Sequence, residues 1–328
     1  MHTNSLILTI TRACNVRCAY CPTVKQGWPS LSIADSYRAI DLFLELFREG
    51  DIKLFGGEPL LEPTVVRAVL EYTKDIVHIQ HVYLSTNAIG LNEDWLEYLA
   101  GHPKVILTIS LDGAPQHHRK LRPSIVDGED SYTKIQQLLP LLHRVPRLVI
   151  TQTIAPSTAK YAYENFLHIV DLGFKKFNFL PGYFIPWNEK QLSELRKGFS
   201  NIARYIIQKW RKNEYLYVRN LFIQAPMPFF NQGMIVDADG SIHPSNITLS
   251  GSFANLHAQT KVGTLKEPPT VDIIQEKAKD IVPLVQSAIA EKIWDATMAS
   301  DAELTRFCDR LLPEFLLYRK HKKHKIEE

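Results

Sequence analysis

The sequence predicts an α/β fold: a partial (β/α)6 barrel of parallel strands with a smaller C-terminal α+β extension. Three observations carry that prediction. Short β-rich runs alternate six times with stretches of helical periodicity, the pattern of successive βα units. Glycine-bearing and polar motifs fall at the C-terminal ends of those runs, where barrels of this kind keep their active sites. A chain of 328 residues, 45% hydrophobic and 22% charged, is also globular in composition and long enough to bury its own core.

Ser5–Thr11 is a β-rich first strand, and the stretch 31–49 has helical spacing (Ile33, Tyr37, Ile40, Phe43, Phe47) between Ser30 and Gly50. Ile52–Phe55 is the second strand, ending in Gly56-Gly57-Glu58-Pro59 before a helix over about 63–75. His81–Thr86 is a strand, 92–100 a helix, and Val105–Leu111 a strand closed by Asp112-Gly113. A helix over 132–143, a strand over 147–154, a helix over 159–171, a strand Lys176–Leu180 and a helix over 188–212 complete the six units. The barrel is therefore expected over 1–220 and the extension over 221–328. The extension opens on the Pro-bounded apolar run Gln224–Phe230, continues with a strand–turn–strand over 233–246 built on Asp239-Gly240, and adds two helices. In Asp301–Leu317, Cys308 falls on the apolar stripe with Phe307, Leu311 and Phe315 and reads as core; Arg319–Lys325 reads as a basic, solvated tail.

Lys and Arg number 38 against 35 Asp and Glu, a formal charge of 38 − 35 = +3, which gives no argument for nucleic acid or an anionic membrane as partner. No run approaches bilayer-spanning length, and the N-terminus lacks the basic region of a signal peptide. The expectation is a cytoplasmic protein with reduced thiols.

The cysteines are the informative residues. Cys14, Cys18 and Cys21 form a C-x3-C-x2-C group, and the fourth, Cys308, is remote. A closed zinc site needs four ligands, and this loop supplies three with no nearby histidine. Three thiolates on one loop suit a cubane iron–sulfur cluster with one iron left open to a small chelating ligand. A buried hydrophobic trio fits poorly beside Asn15, Arg17 and Pro22.

The cysteine loop after strand one, the Gly-Gly-Glu-Pro turn after strand two and the six βα units together resemble the radical S-adenosylmethionine (SAM) enzyme superfamily over about residues 5–215. Tyr20, the string GGEPLL at 56–61 and the string SLDG at 110–113 are similar to its sulfatase-maturase, peptide-modifying (SPASM-like) branch. The resemblance implies one [4Fe-4S] cluster on Cys14, Cys18 and Cys21, with SAM on the open iron. It implies reductive cleavage of SAM to a 5′-deoxyadenosyl radical that takes hydrogen from a peptide or protein side chain. The alternatives are the same chemistry on a small-molecule metabolite, or a cluster-binding subunit without turnover. A one-electron donor such as flavodoxin or ferredoxin is implied as partner. By the same resemblance Gly56 and Gly57 admit the SAM amino group, Ser110 contacts its ribose, Arg122 pairs with its carboxylate, and Tyr20 and Leu180 line its adenine.

Local readings stay open beside these. Gly56-Gly57 also reads as a plain strand–helix turn, Glu58 as a SAM-amine partner or an anion at a helix start, and Asn87 as a SAM contact or a cap for the helix near Asn92. Arg122 stands in a run with Arg119 and Lys120 that also reads as a solvated basic loop, and Asp112 reads as a turn former. The extension departs from the SPASM-like pattern: Ser245 stands where that branch has cysteine, and no cysteine occurs between 22 and 307, which excludes cysteine-ligated auxiliary clusters. Asp237, Asp239 and His243 read either as an acid/base set or as ordinary hairpin polarity. Tyr183–Trp187, residues 226–230 and the 233–246 hairpin are expected to wall the substrate, the alternative being that Phe184 and Trp187 pack the last helix. With strand one starting by residue 6, no N-terminal peptide-binding module is expected, an expectation that weakens the case for a peptide substrate.

Overall fold

The structure, a computed structural model, describes residues 4–21, 23, 28–222, 228, 233–249 and 251–327. Six βα units follow one another as the sequence predicts. They comprise β1 (Ser5–Thr11), α1 (Ile33–Phe47), β2 (Gly50–Gly56), α2 (Pro63–Thr73), β3 (Ile79–Thr86), α3 (Glu93–Gly101) and β4 (Val105–Ser110). Then come α4 (Pro115–Leu121), α5 (Ser131–Leu142), β5 (Leu148–Ile154), α6 (Ala162–Asp171), β6 (Lys176–Pro181) and α7 (Glu189–Arg211). A short β7 (Tyr217–Val218) is followed by β8 (Gly233–Val236), β9 (Ser241–His243), α8 (His257–Thr260), β10 (Gly263–Thr264), α9 (Val271–Ala288) and α10 (Glu291–Glu327). No helix among the described residues is long and apolar enough to cross a membrane.

Contacts divide the chain into two units, the first comprising 1–109, 122–148 and 225–290 and the second 110–121, 149–224 and 291–328. In the first, the strand order is β10-β9-β8-β1-β2-β3-β4. β1 pairs in parallel with both β2 and β8, so the predicted hairpin β8–β9 joins the sheet beside the first strand. Strand alternation sends Leu6, Leu8, Ile10, Ile52, Leu54 and Leu84 to one fully buried face, and Ala39, Ile40 and Phe43 of α1 with Val66, Val69 and Leu70 of α2 are buried likewise. Ser32 starts α1 by accepting a hydrogen bond from Asp35 N at 3.0 Å.

In the second unit β5, β6 and β7 are parallel neighbours. Phe177 and Phe179 of β6 meet Phe166 of α6, and Phe307 of α10 stacks on Phe199 of α7 with ring centroids 4.9 Å apart. Arg196 grips Glu303 through Nε and Nη2 at 3.1 and 2.7 Å, fastening α7 to α10. Two local expectations change. Residues 159–161 belong to a 3-10 turn that precedes α6. Arg119 and Lys120 lie on α4, a helix too short to show an apolar period, and Arg122 follows its end.

The ring cluster gives a stability prediction. Phe307→Ala removes a buried ring from contact with both Phe179 and Phe199. The expected cost is about 3–5 kcal/mol, read as a lower denaturant midpoint; a change under about 1 kcal/mol would mean the rings carry little of the packing.

Candidate functional site

β1 delivers the cysteine loop and the glycines of β2 receive it. The β1–β2 register shifts between Thr9 and Thr11, so Thr11 faces Gly56. Gly57 N donates to Thr11 O at 2.8 Å and Glu58 N to Ala13 O at 2.8 Å. A Cβ on Gly56 would lie 2.0 Å from Thr11 O, and one on Gly57 2.0 Å from Ala13 O. Gly56 also has φ +139°, which side-chain-bearing residues rarely adopt. The close approach that demands both glycines is thus made by the chain's own backbone.

The loop is closed at its base, where Leu31 N donates to Ile10 O at 2.9 Å. Along one side it is zipped to the segment after α4: Arg17 N donates to Pro123 O at 2.9 Å, Ile125 N donates to Asn15 O at 3.0 Å, and Val16 bridges Ser124. A turn links Cys21 N to Cys18 O at 3.1 Å, and Arg17 Nη1 donates to Cys14 O at 3.3 Å. None of the three thiols is in a disulfide; Cys14 is buried, Cys18 and Cys21 half-buried.

Arg122 is nearly buried and reaches the loop: its Nη1 lies 3.7 Å from Cys18 Sγ, and its guanidinium sits 5.3 Å from the centre of the Tyr20 ring. Asn87 reaches it too, donating from Nδ2 to Asn15 Oδ1 at 2.7 Å. The cap of α3 is Asn92, which accepts from Trp95 N at 2.9 Å. Glu58 is 1% exposed, and both oxygens are engaged: Oε1 accepts from Leu60 N (3.1 Å) and Thr86 Oγ1 (2.8 Å), Oε2 from Asn87 N (2.7 Å). Burial pushes its carboxyl up in spite of those donors. Tyr20, Gly56, Gly57, Glu58, Asn87, Arg122 and the three cysteines therefore gather in the first unit.

Ser110 and Leu180 belong to the second unit, each half-buried near the C-terminal end of its strand. There Asp112 anchors a turn, its Oδ1 accepting from Thr153 N at 3.0 Å. The expected substrate wall at Tyr183–Trp187 is core instead. Tyr183 Oη donates to Asp301 at 2.7 Å, Phe184 N donates to Thr297 Oγ1 at 2.9 Å, and Trp187 Nε1 donates to Gly182 O at 2.8 Å, with all three side chains buried. Tyr183 and Phe184 are thus tied to α10. Of residues 224–230 only Pro228 is among the described residues, so that linker and its share of the wall lie outside them. The Cys308 thiol is pushed up to about 12, first by burial and then by Asp309 and Asp301.

A second constellation escaped the sequence reading. Arg12, two residues before Cys14 and 2% exposed, makes a two-pronged ion pair with Asp237 at the end of β8; its Nε donates to Oδ1 at 3.1 Å. Trp28, from the far side of the loop, covers the guanidinium at 3.4 Å and meets His257 edge-on at 5.2 Å. His257 Nε2 lies 3.7 Å from Asp237 Oδ2, and the His243 and His257 rings are 4.6 Å apart. Burial would raise the Asp237 carboxyl, but His257 and Arg12 outweigh it and hold it at about 2. Of this group only Asp237 and His243 carried a sequence signal, their place beside the turn. Arg12, Trp28 and His257 are single residues without periodicity.

As a donor set, three reduced thiols on one short loop, with an arginine beside one sulfur, fit an iron–sulfur cluster and no oxygen-loving ion.

Comparison with known proteins agrees. Residues 8–151 match the family model of the Radical SAM superfamily. The chain is 26% identical over 231 residues to the uncharacterized protein MJ0907 of Methanocaldococcus jannaschii, a match covering 66% of this chain and 78% of that one. It is 25% identical over 135 residues to a GTP 3′,8-cyclase of Rhodococcus opacus, 38% of each chain. Among solved structures, native anSMEcpe with bound AdoMet and Cp18Cys peptide superposes with TM-score 0.72 at 15% identity, covering 96% of this chain and 99% of that one. At that identity the likeness establishes the fold.

The glycine contact yields a test. Gly57→Ala must displace the Ala13 carbonyl, one bond from Cys14. Iron retained after anaerobic reconstitution should fall well below the parent's, which a single cubane cluster sets at about four per chain. Far-UV circular dichroism should stay parent-like. Full iron content in the variant would show that the loop tolerates the shift.

Proposed function

We propose, from the match of residues 8–151 to the Radical SAM superfamily model, that the chain is a SAM-dependent radical enzyme acting by hydrogen abstraction on a peptide or protein side chain. The observation that carries the reading is the cysteine loop itself: Cys14, Cys18 and Cys21 held on a fixed backbone against Gly56-Gly57, with Arg122 at the Cys18 sulfur. In this reading the three cysteines hold one [4Fe-4S] cluster. Bound there with SAM, it supplies a reducing electron and, from SAM, a 5′-deoxyadenosyl radical that takes hydrogen from the substrate.

The protein's own contribution is positioning. Arg122 offers a planar donor fork to the SAM carboxylate, and its place over Tyr20 supports a shared role of the two at the ligand. Glu58 and Asn87 act at one remove: the carboxylate holds the turn after β2, and Asn87 links that turn to Asn15 of the loop. Gly56 and Gly57 give the loop its seat. A flavodoxin or ferredoxin would deliver the electron.

The peptide substrate rests on the likeness in fold to anSMEcpe, whose structure holds a peptide. A second reading, a small metabolite, is favoured by the sequence match to a GTP 3′,8-cyclase. Host extract that stimulates 5′-deoxyadenosine formation, split by ultrafiltration, separates them. Protease-sensitive stimulation in the retained fraction supports the peptide. Protease-resistant stimulation in the filtrate overturns it in favour of the metabolite.

The reduced, reconstituted protein should form 5′-deoxyadenosine from SAM, and Cys18→Ala should lose both cluster and cleavage. Arg122→Ala should keep its iron and bind SAM about 30- to 150-fold more weakly, the loss of one charge-assisted pair worth about 2–3 kcal/mol. Parent-like SAM affinity would remove Arg122 from the carboxylate.

A further inference from the structure

We propose that Asp237, His243 and His257 form a site for one divalent transition-metal ion of the zinc class, separate from the cysteine loop. One ligand atom from each residue lies within 4.8 Å of the others. Two ligands about 2.1 Å from a tetrahedral ion stand about 3.4 Å apart, and His257 Nε2 is already 3.7 Å from Asp237 Oδ2. The three come from fixed backbone. Asp237 follows β8 with its N donating to Ser241 O at 2.9 Å, His243 ends β9, and His257 opens α8.

The hydrogen bonds around His243 favour a cation at this place. His243 is fully buried, and each of its ring nitrogens faces a hydroxyl: Nδ1 to Thr260 Oγ1 at 3.1 Å, Nε2 to Ser241 Oγ at 2.9 Å. Thr260 gives its proton to the helical carbonyl of Leu256 at 2.9 Å, so it accepts from Nδ1–H, and Nε2 keeps the lone pair. Ser241 has one proton, and the Asp239 carboxylate at 2.5 Å takes it in the stronger, charge-assisted bond. The Nε2 lone pair then has beside it, at 2.9 Å, a Ser241 hydroxyl whose proton is committed to Asp239, in a place where unsatisfied polar atoms are costly. Nδ1–H held by an oxygen is also the arrangement that orients a metal-binding histidine.

Arg12 opposes the ion, because its guanidinium already grips Asp237. Before binding, the formal charges of Arg12, Asp237 and Asp239 sum to +1 − 1 − 1 = −1, and a divalent ion brings the group to +1. Asp239 Oδ2, 4.0 Å from His257 Nε2, offsets part of the repulsion. Two imidazoles and one carboxylate favour zinc or ferrous iron over magnesium or calcium, and three protein ligands leave a fourth position for water or an oxygen ligand.

The test adds zinc to the full chain with its iron–sulfur cluster reconstituted, then removes excess metal and reads zinc content and X-ray absorption at the zinc edge. The expected result is one zinc per chain with a nitrogen/oxygen shell near about 2.0–2.1 Å and no sulfur. His257→Ala, at a side chain 21% exposed, should bind zinc at least tenfold more weakly while holding parent-like iron. Thr260→Val, which removes the acceptor of Nδ1–H, should weaken zinc by about 10- to 100-fold. No retained zinc, a sulfur shell near about 2.3 Å that puts the metal on the cysteine loop, or affinity unchanged in both variants would overturn the proposal.

Discussion

The cysteine loop depends on a steric permission: nothing may stand between the backbone of Thr11–Ala13 and that of Gly56–Gly57. The two hydrogen bonds made there would each contribute about 1 kcal/mol. The exclusion is much stronger, since a Cβ at either glycine would sit 2.0 Å from a carbonyl oxygen. The register shift between Thr9 and Thr11 is part of the same geometry, turning the end of β1 so that Thr11 and Ala13 present their carbonyls to β2. Cys14 is the next residue along, so its position follows from the turn. The zipper of 15–17 against 123–125 then fixes the loop's outer side and brings Arg122 beside Cys18.

Three guanidiniums surround this loop with different roles. Arg17 donates to the Cys14 carbonyl and shapes the loop from within. Arg122 lies against a sulfur, where positive charge favours the anionic donors that a metal cluster needs. Arg12 is buried and faces Asp237. Such a pair adds little net stability, because the desolvation of two ions consumes most of their attraction, yet removal of one partner typically costs about 3–5 kcal/mol. Its effect is specificity: the pair admits one placement of the β8–β9 hairpin beside the loop, and Trp28 fixes the loop's other side to the same guanidinium.

The legible parts of this protein are those written in local pattern. Helical spacing, strand runs, the Asp239-Gly240 turn and the cysteine spacing all operate within a few residues, and all six βα units lie where that pattern puts them. The parts that were not legible join distant positions. Arg12 and Asp237 are 225 residues apart, Tyr183 and Asp301 118, Asn15 and Asn87 72. Asn87 had two local readings, a cap or a ligand contact, yet its amide binds the loop. The aromatics after β6 have the composition of a wall, but they are buried, and Tyr183 and Phe184 bond to α10 far downstream. No periodicity within Tyr183–Trp187 encodes that choice.

Glu58 and Asp237 make the same point in electrostatic terms, since both are carboxyls about 1% exposed beside the loop. Glu58 receives its hydrogen bonds from two backbone N–H groups and a hydroxyl, and burial pushes it up regardless. Asp237 has a guanidinium on both oxygens and an imidazole nearby, and it is held at about 2. Neutral dipoles satisfy a buried acid without fixing its charge; a cation in contact fixes the charge. Asp237 is thus a permanent anion that anchors the hairpin to the cysteine loop, whereas Glu58 is an acceptor that shapes the turn. The sequence places both beside turns, but the distant Arg12 and His257 separate their roles.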